Sequence, residues 1–279
     1  MRLVDNRYGK SKVRLVRVVR NGERHELRDF TVDIRLAGAY QPAHADGDNR
    51  AVLPTDTMKN TVYALAGEAP TGEPEAFALR LARHFLAHNP ETATASVAVR
   101  ERPWRRLAAG GNGHPHAFER DAGGERLAHV ECRRDGETVE SGLDGLVVLK
   151  TTGSAFADFR RDRFTTLRDA TDRVFATEVR ATWSCDRPEV DWSASFAGVR
   201  AALLDAFAAH DESKSVQHTL WIMGQAAFAA RPEVRRIHLA LPNLHHLLVD
   251  LSPFGMENPQ QVFIATSEPH GLIEATLER

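Results

Sequence analysis

The residues best placed to do chemistry gather around Val52-Leu53-Pro54-Thr55-Asp56-Thr57-Met58-Lys59-Asn60-Thr61-Val62-Tyr63. The string reads as a strand end that turns sharply into a helix. Pro54 holds the residue before it extended. Asp56 or Thr57 is expected to cap the helix, and Met58, Val62 and Leu65 recur at helical spacing. A helix start offers unpaired N–H groups and a partial positive charge, which suit an anionic or carbonyl-bearing ligand. Thr-Asp before a helix is, by itself, also the ordinary composition of a capped surface helix.

Further strings carry groups of the same kind. Tyr8-Gly9-Lys10 precedes the first strand; alone, a lysine there is a solvated charge. Phe164-Thr165-Thr166-Leu167 leads to Asp169, Asp172 and Arg173, and Thr152-Gly153-Ser154-Ala155-Phe156-Ala157-Asp158-Phe159 lies just upstream. A guanidinium offers paired planar donors that suit an anionic carbonyl edge. The plain readings are core packing for Phe156 and an ion pair with Asp169 or Asp172 for Arg173. Ser215-Val216-Gln217-His218-Thr219 opens another helix, and its glutamine amide both donates and accepts. Leu241-Pro242-Asn243-Leu244-His245 reads alone as a strand-to-strand turn. His246 is expected on the opposite strand face from His245.

Together these strings resemble the urate oxidase (uricase) family. The matches are its YGK near the N-terminus, TD-(S/T)-x-KNT-x-Y, S-x-F-x-x-F followed by (F/Y)TTL-x-x-x-x-DR, the Val-Gln helix start, and LPN-x-H. They occur in family order from Tyr8 to Ile273, whereas residues 41–50, 109–125 and 253–261 have no clear match. The resemblance implies two tandem T-fold (tunnelling-fold) domains, at 1–138 and 139–279, in a tunnel-shaped homotetramer with active sites at subunit interfaces. It implies oxidation of urate by O2 without metal or organic cofactor. It assigns Lys10, Thr55 and His245 to proton relay. Phe156 would stack on the purine, with Leu167 in the pocket wall and Val216 beside Gln217 at the ring's other edge. Arg173 and Gln217 would grip its edges, Asn243 would lie over the ring where O2 or water sits, and Asp56 would help place Thr55 and the substrate. Lys10, Thr55 and Asp56 would come from one subunit and Phe156, Arg173 and Gln217 from its neighbour. A lysine amine set among apolar or cationic groups can act as a base, and a threonine hydroxyl can pass a proton on. The alternatives are a purine-binding protein that does not oxidise and a T-fold enzyme acting on pterins, whose relatives commonly use zinc.

Composition agrees with these expectations. Lys and Arg number 36 against 38 Asp and Glu, so no basic field points to nucleic acid. The 13 histidines are scattered without metal-ligand spacing. Two cysteines, Cys132 and Cys185, suit a reducing compartment better than a disulfide framework. No apolar run nears the roughly 20 residues that span a bilayer. The N-terminus lacks a signal-peptide core and the C-terminus lacks a Ser-Lys-Leu-type address, so a bacterial-type cytoplasmic protein is expected.

The elements that must position these residues follow a repeated order of hairpin, two helices, hairpin, a repeat of pattern only. A strand at 12–20 meets Asn21-Gly22, a hairpin signal. Phe30, Val32, Ile34 and Leu36 then alternate with Asp29, Thr31, Asp33 and Arg35, as in a sheet covered on one face. A polar loop at 41–50 precedes the helix start, and a second helix runs from Glu75 to His88. Strands are expected near 92–102, 116–120 and 126–133, with Gly110-Gly111-Asn112-Gly113 and Gly123-Gly124 as flexible connections. In the second half, strands are expected at 146–152, 177–183, 234–241, 244–251 and 272–277, and helices at 193–210 and 215–230. Segregated strands and helices give an α+β class with antiparallel sheets. The uncovered sheet face would meet solvent or line a closed oligomer.

Overall fold

The computed structural model describes residues 1–109, 111, 113–185 and 190–279. Gly110 and Asn112 of the expected glycine-rich connection lie outside the described residues. The chain is α+β and divides into two units, Met1–Gly142 and Leu143–Arg279.

In the first unit, β1 (Tyr8–Asn21) and β2 (Arg24–Gly38) form a hairpin. Its loop is Gly22-Glu23 rather than Asn21-Gly22, and Gly22 alone takes the positive φ, +61°. Phe30, Val32, Ile34 and Leu36 are fully buried, as the alternation predicts. Asp29 is buried too, because Arg14 at 2.6 Å and the Trp104 indole N–H at 3.1 Å satisfy its carboxylate. The expected loop at 41–50 contains a short helix, α1 (Gln41–Ala45), started by Pro42 in its first turn. Next come α2 (Thr55–Glu68) and α3 (Pro74–His88), then β3 (Thr92–Glu101), β4 (Trp104–Arg106), β5 (Phe118–Arg120), β6 (Glu125–Arg133) and β7 (Gly136–Lys150). The sheet runs β1-β2-β3-β6-β7, and β4 pairs β5 separately. Met58, Val62, Phe77, Leu81 and Phe85 cover one face of the sheet, where Phe77 stacks on Phe30 with centroids 5.8 Å apart. Glu75 is buried beside them, held by Arg126 at 2.8 Å and Ser141 at 2.6 Å, and burial still raises its pKa.

The second unit takes the end of β7, then β8 (Phe175–Cys185), α4 (Trp192–Ala209), α5 (Val216–Ala230), β9 (Val234–Leu248) and β10 (Phe263–Glu278), in sheet order β7-β8-β9-β10. Thr177, Val179, Ala181 and Trp183 form the buried face of β8. Val199, Leu203, Leu220 and Met223 of the helices pack over it. β7 begins ten residues before the expected strand at 146. Its Gly136–Ser141 stretch is too polar and glycine-bearing to show alternation.

The strands expected at 234–241 and 244–251 are one strand, and no turn occurs at Pro242-Asn243. Pro242 pairs Leu272 of β10, and its missing N–H falls on the β8 side. There the ladder lapses between Ala240–Arg180 and Asn243–Thr177 without changing register. β10 starts nine residues before the expected strand at 272. Its register breaks between Thr266 and Gly271, so that four residues bulge opposite Leu244.

Candidate active site

The expected site residues fall into two groups, one in each unit. In the first, Tyr8, Gly9 and Lys10 lie at the start of β1. Gly9 crosses β2 so closely that a Cβ there would sit 1.8 Å from the Ile34 carbonyl oxygen. No other residue fits. Lys10 is the last paired residue before a bulge: Lys10 faces Ile34, Val13 faces Val32, and Asp33 alone spans Ser11 and Lys12. Lys12 takes φ +57° there and donates its N–H to Asp33 Oδ1 at 3.1 Å. The Leu53 N–H donates to the Tyr8 hydroxyl at 2.9 Å, which ties the Lys10 strand to the turn carrying Thr55.

α2 begins at Thr55, with Pro54 as its N-cap residue and no side-chain cap. The expectation that Asp56 or Thr57 caps the helix is therefore corrected. Both lie inside the first turn, where Pro54 has already set the entry. Asp56 turns along the helix, paired with Lys59 and accepting from Asn60 Nδ2 at 3.1 Å. The Lys59 hydrogen bond and charge lower the Asp56 pKa, with smaller contributions from Asn60 and the Lys10 charge. Lys10 and Asp56 thus share one electrostatic neighbourhood.

The second group surrounds a cavity of about 350 Å³ in the second unit. Phe156, Leu167, Arg173, Val216, Gln217, Asn243 and His245 all line it. Phe156 is pinned by paired backbone bonds to Ala170, at 2.8 and 2.9 Å, and stacks on Phe159 at 4.9 Å. The Arg173 guanidinium lies 5.6 Å from the centre of the Phe156 ring. Burial lowers its pKa, and its Nε is buried without a hydrogen-bond partner. Neither expected ion pair forms. Asp169 pairs with Arg161, and Asp172 accepts from Thr152 at 2.6 Å and from the Arg173 backbone N–H at 3.0 Å. Val216 and Gln217 are the first two residues of α5, whose cap Ser215 accepts from the His218 N–H at 3.1 Å. Asn243 Nδ2 and His245 Nδ1 are 3.5 Å apart, and β10 bulges opposite the residue between them.

His246 also lines the cavity, contrary to simple alternation. Alternation presumes a regular pleat, and the bulge in β10 removes that regularity here. A larger cavity of about 670 Å³ in the first unit ends at Pro54 and holds none of Lys10, Thr55 or Asp56. Among the described residues, no three His, Cys, Asp or Glu side chains are grouped to hold a metal ion, and no helix is long and apolar enough to cross a membrane.

The family model for uricase matches residues 6–131 and again 139–274. The chain belongs to the uricase family. It is 46% identical to the uricase of Arthrobacter globiformis over 99% of this chain and 90% of that one. It is 39% identical to the uricase of Dictyostelium discoideum over 99% and 97%. The crystal structure of the Arthrobacter globiformis uricase superposes with a TM-score of 0.95 at 44% identity, covering 100% of this chain and 95% of that one. The family's doubled α+β T-fold is therefore the fold of this chain.

Proposed function

We propose that the protein is a urate oxidase converting urate, O2 and water to 5-hydroxyisourate and hydrogen peroxide. The observation that carries this reading is one cavity lined together by Phe156, Arg173, Gln217 and Asn243. Such a set suits a flat, anionic oxopurine with a pyrimidinedione edge. The phenyl face accepts the ring, the guanidinium fork takes an anionic edge, and the glutamine amide matches an edge with both a donor and an acceptor. The unpartnered Arg173 Nε gives a specific reason to expect an acceptor from a ligand.

In the proposed mechanism, Arg173 and Gln217 hold the deprotonated purine on Phe156, with Leu167 and Val216 as walls. Asp56 steadies Thr55 and the substrate edge. Urate passes two electrons to O2, which takes up two protons and leaves as peroxide. Water then adds to the oxidised ring and loses a proton. Lys10, Thr55 and His245 carry these protons, and Asn243 holds O2 and afterwards water over the ring. Orientation and anion stabilisation supply most of the rate, and no metal or organic cofactor takes part. We assign one T-fold domain to each half of the chain and a homotetramer to the whole. Lys10, Thr55 and Asp56 of one copy meet the cavity of its neighbour. Exposed apolar side chains on the outer strands, Val16 on β1 and Ile264 and Leu272 on β10, support such contacts. Two free cysteines suit the cytoplasm.

An oxygen electrode tests the reaction on metal-free protein given urate, with peroxide assayed in the same cell. Equal O2 uptake and peroxide formation, unaffected by chelator, is the expected result. Binding of urate without O2 uptake would make this a purine-binding protein. Activity that requires zinc and a pterin would move it to the pterin-directed enzymes.

A further inference from the structure

The cavity walls come from two segments that no regular element joins: the irregular arm bearing Phe156 and Arg173, and the start of α5 bearing Gln217. Their meeting point is residue 213. The Ala155 N–H donates to the Ser213 carbonyl at 2.7 Å, and the Ser213 N–H donates to the Gly153 carbonyl at 3.2 Å. Gly153, at φ +75°, lets the two segments approach; a Cβ there would lie 2.9 Å from the Asp211 carbonyl oxygen. Ser213 and Thr219 are both buried.

Their side chains form a chain of hydrogen bonds with a definite direction. The Ser213 hydroxyl donates to the Ser215 carbonyl at 3.1 Å. With its proton committed, Ser213 Oγ accepts from the Thr219 hydroxyl at 2.7 Å. Thr219 Oγ1 in turn accepts from His210 Nδ1 at 3.1 Å, so His210 carries its proton on Nδ1. The His210 carbonyl, at the C-cap of α4, accepts from Lys150 Nζ at 2.5 Å. The chain thus runs from the end of α4 to the residue that caps α5, immediately before Val216 and Gln217.

We propose that Ser213, Thr219 and His210 are positioning residues that set the spacing between Phe156 and Gln217, and so set how tightly the cavity grips its purine. None of the three lines the cavity. Their effect is therefore on binding common to ground and transition states, which appears in KM rather than kcat.

The inference rests on the urate oxidase reading, and its test separates the two. In Thr219→Val, which keeps shape and removes the hydroxyl, KM for urate is expected to rise about tenfold with kcat within about twofold of the parent. Thr219→Ser is expected to restore KM. The dissociation constant for xanthine, a purine dione probe, should rise by the same factor. If the parent takes up no oxygen with urate, the oxidation reading fails, and xanthine binding still reports on the brace. If Thr219→Val does not fold, Ser213→Ala should show the same rise. A folded Thr219→Val or Ser213→Ala with unchanged KM and xanthine affinity, or a loss of kcat alone in step with folded fraction, overturns the proposal.

Discussion

The two groups of site residues solve opposite problems. The group in the first unit is charged and unenclosed. Lys10, Thr55 and Asp56 stand where a strand bulge meets an uncapped helix start, and the large cavity nearby stops short of them. The group in the second unit is a cavity with a flat aromatic floor, a desolvated guanidinium and a capped helix start, and His245 is its one member of the proposed relay. An uncapped helix start leaves N–H donors for a ligand, whereas a capped one fixes the side chains of its first turn. On the proposed reading, the first group moves protons and the second holds a ring. Both use a bulge: beside Lys10 in β1, and in β10 opposite the residue between Asn243 and His245.

This division predicts different kinetic signatures. The largest effect is expected from Lys10→Ala, which should lower kcat by about 10²–10⁴ with little change in KM, since it removes a proton-transfer group and no grip. Steady-state oxygen uptake measures both, and an unchanged kcat would remove Lys10 from the relay. Arg173→Lys keeps the charge and loses the fork. It should weaken urate binding by about 10- to 100-fold, given roughly 1.5–3 kcal/mol for a charged hydrogen bond. Titration calorimetry with a non-oxidised purine dione tests this, and unchanged affinity would mean that the ring is held elsewhere.

Smaller effects sharpen the contrast between the helix starts. Ser215→Ala should cost about 1 kcal/mol of stability by removing the cap of α5. Thr55→Ala should cost far less, because Thr55 caps nothing. Denaturant midpoints compare them directly. Acid should also loosen the two regions in sequence. His210 has a pKa lowered from 6.5, mainly by burial and then by His218 and Lys150. The unfolded imidazole therefore binds a proton first, and the stability His210 contributes is present above pH 6.5 and lost as pH falls towards the depressed folded value. Asp56 is depressed from 3.8 by Lys59, so its contribution is present above pH 3.8 and lost only as pH falls further. Hydrogen-exchange protection factors, which remove the intrinsic pH dependence of exchange, should be lower at pH 5.5 than at pH 7 around the start of α5 and unchanged around the start of α2.

The regular parts of this design are legible in sequence. Alternation in β2 and β8 marks their buried faces, because strand period and one-sided burial enforce it. The helices carry apolar residues at helical spacing and end where Asn89-Pro90 and Pro232 require. The seven second-unit residues that the separated strings single out all line one cavity. What the sequence conceals is irregular. Pro242-Asn243 has the composition of a turn, yet tertiary pairing on both sides keeps β9 straight through it. Pro269 and Gly271 mark an interruption in β10, but nothing local says that it falls opposite Leu244, so alternation alone puts His246 on the face away from the cavity. The brace through Ser213, Thr219 and His210 joins ordinary loop and helix residues, and only their approach in space gives them meaning.

We propose that neither group works alone and that each active site joins the first group of one copy to the second group of another. Co-expression of Lys10→Ala with Arg173→Ala tests it directly. Each variant alone should be nearly inactive. Random co-assembly should restore about a quarter of parental activity, because that share of interfaces pairs an intact Lys10 with an intact Arg173 from a different copy. Co-assembled oligomers with no recovered activity would place both groups in sites made within one chain and overturn the pairing between copies.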